Sequence, residues 1–278
     1  MSRPIRIEFP GALYHVSNRG SDQRAIVRND ADRRVFLNTL GSVAHRCHWL
    51  LHSYVLMHDH YHLIVETPKA NLSQGMRQLN GVYTQYFNRT HQSAGTLFRG
   101  RFKGVLFEKE NYLLALCRHV VLNPIRVGRS SSTDGYRWSS HRGMAGLVKA
   151  PDFLHTDAVL AHFGRRSRDS QQKYRQYVRD GVKKDSPLQQ RSNQILLGGS
   201  EFRKEMQDFL NGGLVRRGPK KITRRRSLKS IFKGVESKPK SARNQLIKKA
   251  HIDHTYTLQE IGNHLGLHYT TVSKVINA

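Results

Sequence analysis

The sequence predicts an α+β fold: an antiparallel sheet with helices packed on it, followed by a small all-helical unit. Short alternating segments that lie close together read as strands, and longer segments with one apolar helical face separate them. From Ser241 onward there are helical patterns only. The organising stretch is Ser53 to Thr67, SYVLMHDHYHLIVET, in which the apolar runs Val55 to Met57 and Leu63 to Val65 flank His58, His60 and His62. It is either one buried central strand or two strands joined by a tight turn near His58 and Asp59.

Taken in order, Ala12 to Asn18 alternates as a strand that Arg19-Gly20 ends. Asn29 and Asp30 supply N-cap chemistry for a helix from about Asp32 to His45, with Val35, Phe36, Leu40 and Val43 on one face. Trp49 to Met57 and His60 to Thr67 are the next strands, and Pro68 ends them. Asn71, with Gln74 three residues on, has the form of a capping box opening a long helix to about Thr90. Gly95 to Glu108 is a loop feeding a strand. The helix from about Asn111 to Leu122 is stopped by Asn123-Pro124, because the residue before proline is pushed out of helical geometry.

Beyond Phe163 the chain turns polar and basic, with a run from Arg216 to Lys229 that contains no acid and a short amphipathic helix near Phe202 to Leu210. In the closing unit Leu246, Ile247 and Ala250 give one helix face. Thr257 and Glu260 form a capping box before Leu258, Ile261 and Leu265, Gly266 turns the chain, and Val272, Val275 and Ile276 give a last helix. The expected division is 1–164 as the body carrying the site, 165–240 as a basic linker region and 241–278 as the small helical unit.

Charge narrows the function. In 278 residues, 47 Lys and Arg stand against 20 Asp and Glu, a formal net charge of +27. Such an excess implies a polyanionic partner, nucleic acid before any other, and argues against an enzyme of neutral metabolites. An anionic membrane is the competing partner, but no apolar stretch approaches the length of a spanning helix. The start, MSRPIRIEFPG, lacks a signal-peptide apolar region, so the cytoplasm is the expected compartment. Cys47 and Cys117 are the sole cysteines, which excludes a disulfide framework and a four-cysteine zinc site. His45, Cys47, His48 and His52 have ligand chemistry but sit where a helix runs into a strand.

Alternate positions on a strand share a face, so His60 and His62 emerge together with Cα atoms roughly 7 Å apart and one metal ion can take both. Their plain reading is as core histidines. His119 and Asn123 lie one turn apart on the next helix, where the Asn123 amide oxygen suits a cation; equally, Asn before Pro is a helix terminator. Phe98, Arg99, Arg101, Phe102 and Lys103 interleave cations with rings, either as a groove on which unpaired bases stack or as an edge strand with its Phe side chains in the core. Arg19, Arg126 and Arg129 are further candidates for phosphate contact.

The segments HDHYHLIVE, GTLFRGRFKG, NYLLALCRHVVLNPIRVGR and YRWSSH, in that order over roughly residues 8 to 165, resemble the REP-associated tyrosine transposases. These are relatives of the single-strand-specific insertion-sequence transposases with an HUH motif. The resemblance implies a ferredoxin-like or RRM-like palm that binds hairpin DNA with a single-stranded flank and cuts and rejoins one strand. It implies a divalent ion, Mg²⁺ or Mn²⁺, on His60, His62 and Asn123, and a tyrosine that attacks the phosphate to leave a 5′-phosphotyrosine. That tyrosine belongs in a pattern Tyr-x-x-x-Asn-Pro, and this chain has His119 there.

Two functions follow from the replacement. Either His119 is the catalytic residue, or the chain binds DNA on the same scaffold without cutting it. Tyr112 lies seven residues before His119, about 10 Å along the helix axis, too far to substitute for it. A third reading, the triple-histidine strand of nucleotide hydrolases, is broken by Asp59 and leaves the charge unexplained. The closing segment TLQEIGNHLGLHYTTVSKVI resembles a bacterial helix-turn-helix, including the DnaA C-terminal type. It would present His268, Tyr269, Thr270, Thr271, Ser273 and Lys274 to a major groove, with a plain three-helix bundle as the alternative. A monomer and a homodimer both fit the sequence.

Overall fold

Alternating apolar segments build the sheet of the computed structural model, which describes residues 7–164, 167–192, 195–211, 227–235, 239–252, 256 and 258–277. Its strands are β1 (Ala12–Arg19), β2 (Leu50–Leu56), β3 (His60–Thr67), β4 (Lys103–Phe107) and the two-residue β5 (Leu196–Leu197). They lie in the order β2-β3-β1-β4-β5, antiparallel throughout except for the parallel β4/β5 pair. Met57 N donates to His60 O at 2.8 Å, so the histidine stretch is two strands joined by a turn at His58 and Asp59. With α1 (Asp30–Cys47) between β1 and β2, and α2 (Leu72–Thr90) between β3 and β4, the first 107 residues trace a ferredoxin-like path.

Both faces of the sheet are covered. Tyr61, Leu63 and Val65 point to the α1/α2 side, where the Phe36 ring lies 5.0 Å from Tyr61 and 5.0 Å from Tyr83, and Tyr61 OH donates to Asn80 Oδ1 at 2.7 Å. The intervening residues His60, His62 and Ile64 therefore face the other way, towards α3 (Lys109–Val121). The outer side of β2 carries single bridges to Ser139 and Leu154, and the two-residue β5 pairs the far side of β4.

Helix starts differ from one another. Asn29 caps α1, its side chain accepting from Asp32 N at 2.9 Å while the Asp32 carboxylate accepts from Asn29 N, a reciprocal capping box. Asn71 makes no such cap. Its Oδ1 accepts from Trp49 Nε1 and its Nδ2 donates to Cys47 O, both at 2.9 Å, so the side chain expected to start α2 instead ties the end of α1 to it. Pro124 also does less than expected. Leu122 stays in the α region and the chain continues as the single turn α4 (Asn123–Arg126), with proline in the first turn, where its missing N–H costs nothing.

Short helices α5 (His141–Met144) and α6 (Asp157–Leu160) follow, then α7 (Ser167–Arg179) and α8 (Ser200–Leu210). Tyr174, Val178, Leu197, Phe202 and Met206 are buried in the same core as the sheet. The described part of the region expected as a linker is thus folded as far as Leu210, because apolar residues at helical spacing lie among the charges. The basic residues Arg216, Arg217, Lys220, Lys221, Arg224, Arg225 and Arg226 lie outside the described residues.

The chain divides into two units, Met1–Pro219 and Lys220–Ala278. In the second, α9 (Leu228–Ile231), α10 (Lys240–Ile252), α11 (Leu258–Leu265) and α12 (Tyr269–Asn277) surround Phe232, Ile247, Ala250, Ile261 and Val272. Gly266, at φ +65°, turns the chain between α11 and α12. Thr257 lies outside the described residues, and so does the capping box expected of it. No described helix is long and apolar enough to cross a membrane.

Candidate metal and DNA site

Three elements bring four imidazoles together. The antiparallel pairing sets Arg19 opposite His60, Ser17 opposite His62 and His15 opposite Ile64, so His15 on β1 is the diagonal neighbour of His62 on the same face. From across that face α3 contributes His119, whose ring lies 6.3 Å from His62 and 6.2 Å from His15. At the start of α4, Asn123 places Oδ1 3.4 Å from His60 Nε2. Of the three residues expected to converge, His60 and His62 have ring centroids 5.2 Å apart, and Asn123 reaches His60.

Both histidines of β3 are held through Nδ1. Asp59 Oδ1 lies 2.7 Å from His60 Nδ1, and His15 Nε2 lies 2.9 Å from His62 Nδ1. Asp59 is itself gripped by Arg19, whose Nε and Nη2 donate to Oδ2 at 3.0 and 2.8 Å. Burial works against the Asp59 charge, but the hydrogen bonds and charges of His60 and Arg19 outweigh it and hold the carboxyl below its usual range. For His62, burial first and the charges of His15, His60 and His119 next push the imidazole well down, so it is neutral at neutral pH. Burial, with His119 and Arg191 adding repulsion, lowers His15 to about 3.

His119 has a different environment. Only 9 % exposed, it accepts a hydrogen bond at Nδ1 from Arg126 Nη1. Burial and then the Arg126 charge lower it to about 4, so the neutral ring carries its proton on Nε2. The same guanidinium donates through Nη2 to Lys184 O at 2.7 Å. Arg126, expected as a phosphate contact, thus has partners within the chain, as does Arg19. The Tyr112 hydroxyl donates to Gln190 Oε1.

These residues fit a divalent ion. With both Nδ1 atoms engaged, His60 and His62 are left their Nε2 atoms as ligands, and Asn123 adds a neutral oxygen. Two imidazoles and one amide leave positions open for phosphate oxygens, as Mg²⁺ or Mn²⁺ sites do. Among the described residues no group of three or more His, Cys, Asp or Glu is arranged to hold a metal ion, and the amide is what completes this set. The other candidate group, His45, Cys47, His48 and His52, does not form: His48 ends α1 in left-handed geometry, Cys47 is buried, and His52 Nε2 pairs with Glu66 at 2.9 Å.

The remaining cations expected as phosphate contacts, Arg99, Arg101, Lys103 and Arg129, are exposed, and Arg99 N donates to Arg19 O at 2.8 Å, which sets this bend beside the Arg19 end of β1. Phe98 and Phe102 are buried, Phe98 with its ring 5.8 Å from Tyr61. Of the two readings of those rings, a stacking groove or side chains in the core, the structure has the second. In the second unit Thr270 and Thr271 are exposed on α12; the side chains of Ser273 and Lys274 lie outside the described residues.

His15 and Asp59 escaped the sequence reading. The alternation in ALYHVSN gives His15 a face, but only the strand register reveals that the face is shared with His62.

A comparison with curated proteins finds no match. Among solved structures, the chain is similar to one described as a REP-associated tyrosine transposase bound to a REP hairpin, at 17% identity and a TM-score of 0.47, over 60% of this chain and 98% of that one. Residues 9–121 match the family model described as transposase IS200 like. That stretch runs from before β1 to the end of α3 and carries all four imidazoles of the site, so the similarity to IS200-like transposases falls on the part of the chain that builds it.

Proposed function

We propose that this chain is a DNA-binding protein on a transposase scaffold that takes hairpin DNA with a single-stranded flank but does not cut it by the tyrosine route. His60, His62 and Asn123 hold Mg²⁺ or Mn²⁺. When bound, such an ion supplies charge that neutralises and orients a phosphate oxygen. Arg99, Arg101, Lys103 and Arg129 add phosphate contacts, while α11 and α12 act as a helix-turn-helix that lays Thr270 and Thr271 against a major groove.

The observation that carries this reading is the hydrogen bond from Arg126 to His119 Nδ1. A nitrogen nucleophile needs a lone pair aimed at phosphorus. Here the lone pair of Nδ1 is spent on a guanidinium, and Nε2 holds the proton. His119 therefore serves as a donor beside the phosphate rather than as the attacking group, and phosphoramidate formation is disfavoured.

The test is a labelled hairpin with a single-stranded flank, incubated with Mn²⁺ or Mg²⁺ and the chain as given, His60→Ala or His119→Tyr. The expected result is binding without cleavage by the chain as given, with a covalent adduct formed only by His119→Tyr. Cleavage by the chain as given that disappears in His60→Ala would overturn the reading and make His119 the catalytic residue of a cleaving and joining enzyme.

A further inference from the structure

We propose that His15 is a positioning residue that selects the ring tautomer in which His62 can bind metal. This rests on the reading that His60, His62 and Asn123 hold a divalent ion.

A neutral imidazole has one N–H and one lone pair, and the hydrogen bond made by one nitrogen decides what the other offers. For His60 the matter is closed by chemistry. Its Nδ1 faces the carboxylate of Asp59, which only accepts, so Nδ1 carries a proton, and in the neutral ring Nε2, 3.4 Å from Asn123 Oδ1, is the nitrogen left for a ligand. For His62 the partner is a second imidazole, 2.9 Å away, and two arrangements are open. In one, His62 Nδ1–H donates to His15 Nε2, leaving a lone pair on His62 Nε2. In the other, His15 Nε2–H donates to His62 Nδ1, and His62 turns a proton into the site. Only the first makes His62 a ligand.

The geometry suits this control. A 5.0 Å separation of ring centroids and a 21° angle between the planes, with nitrogens 2.9 Å apart, describe two rings meeting edge to edge in nearly one plane, the alignment a strong N–H···N bond needs. His15 is 3 % exposed on the central strand of the sheet, locked between Ile64 on one side and Val105 on the other, so its ring has little freedom to leave. His15 thus plays for His62 the part that Asp59 plays for His60, with a neutral partner in place of a charged one. Outer-shell partners of this kind fix ligand orientation and proton position.

The experiment uses the full chain, unaltered and with His15→Leu or His15→Gln. Ring-nitrogen NMR of metal-free protein reads the His62 tautomer, and electron paramagnetic resonance of Mn²⁺ titrations reads affinity. We expect Nδ1–H at His62 in the unaltered chain. His15→Leu should move the proton to Nε2 and weaken Mn²⁺ binding by roughly tenfold to a hundredfold, whereas His15→Gln, whose amide oxygen can accept, should stay within about threefold. An Nε2–H tautomer at His62 in the unaltered chain, or unchanged tautomer and affinity in His15→Leu, would overturn the proposal. Should His15→Leu fail to fold, His15→Gln decides: lost affinity in a folded Gln variant would also overturn it. If the unaltered chain takes up no Mn²⁺, the metal reading falls, and the tautomer measurement made without metal still judges His15.

Discussion

At the scale of single residues, the site is organised by which nitrogen each imidazole has left to offer. Arg126 takes one from His119, and its positive charge is also one cause of the low His119 pKa. In Arg126→Ala the His119 imidazole should therefore titrate above about 4 but, still buried, below the ordinary 6.5, as a proton-NMR titration would read. Asn123→Ala removes the neutral oxygen and should weaken Mn²⁺ binding by about tenfold or more, with the fold intact by circular dichroism. An unchanged affinity would place the ion elsewhere.

Among the secondary elements, tight packing sets the tolerance to change. A Cβ on Gly75 of α2 would lie 2.1 Å from Trp49 Cζ2, against the indole whose Nε1 is bound by Asn71. Gly75→Ala is expected to lower stability by about 2 kcal/mol despite the better helix propensity of alanine, measured as a lower denaturation midpoint. Trp49 and Asn71 also show where sequence reading stops. Periodicity located β1 to β4 and the first three helices, and alternation placed His60 and His62 on one face. Asn71-Gln74 had the form of a capping box, yet the amide had a better partner in an indole brought near by the fold. Phe98 and Phe102 sat between arginines, and nothing local could say that a core would claim them. His15 needed the register of a strand far away in sequence. Local pattern fixes elements, while competition between partners is decided by the assembled molecule.

For the molecule as a whole, charge bears on stability and, under the proposed function, on binding. Burial raises the Glu66 carboxyl, but bonds and charges from His52 and Lys109 prevail and bring it from 4.5 to about 2. A depressed carboxyl stabilises the fold fully above its unfolded value, and that contribution is lost as pH falls from about 4.5 to about 2. Thermal melts should show acid destabilisation across that window, and Glu66→Gln should flatten it. Asp134 acts in the same direction, held low chiefly by the Arg175 hydrogen bonds despite burial. With a net charge of +27, DNA affinity should fall linearly in log–log form as salt rises, and exchanging Arg99 and Arg101 for alanine should make that slope shallower by about two. A slope that did not change would remove those two side chains from the phosphate contacts.

The bridges from β2 to Ser139 and Leu154, and the cover of β5 on β4, restrict how this body can meet others. Open strand borders are templates on which foreign backbone can align. Along β2 and β4 a newcomer seeking to extend the sheet would meet native chain already paired at these positions, which disfavours recruitment through those two flanks. The hydrogen-bonding ladder that holds the imidazoles in register is thereby shielded from rearrangement by strand exchange.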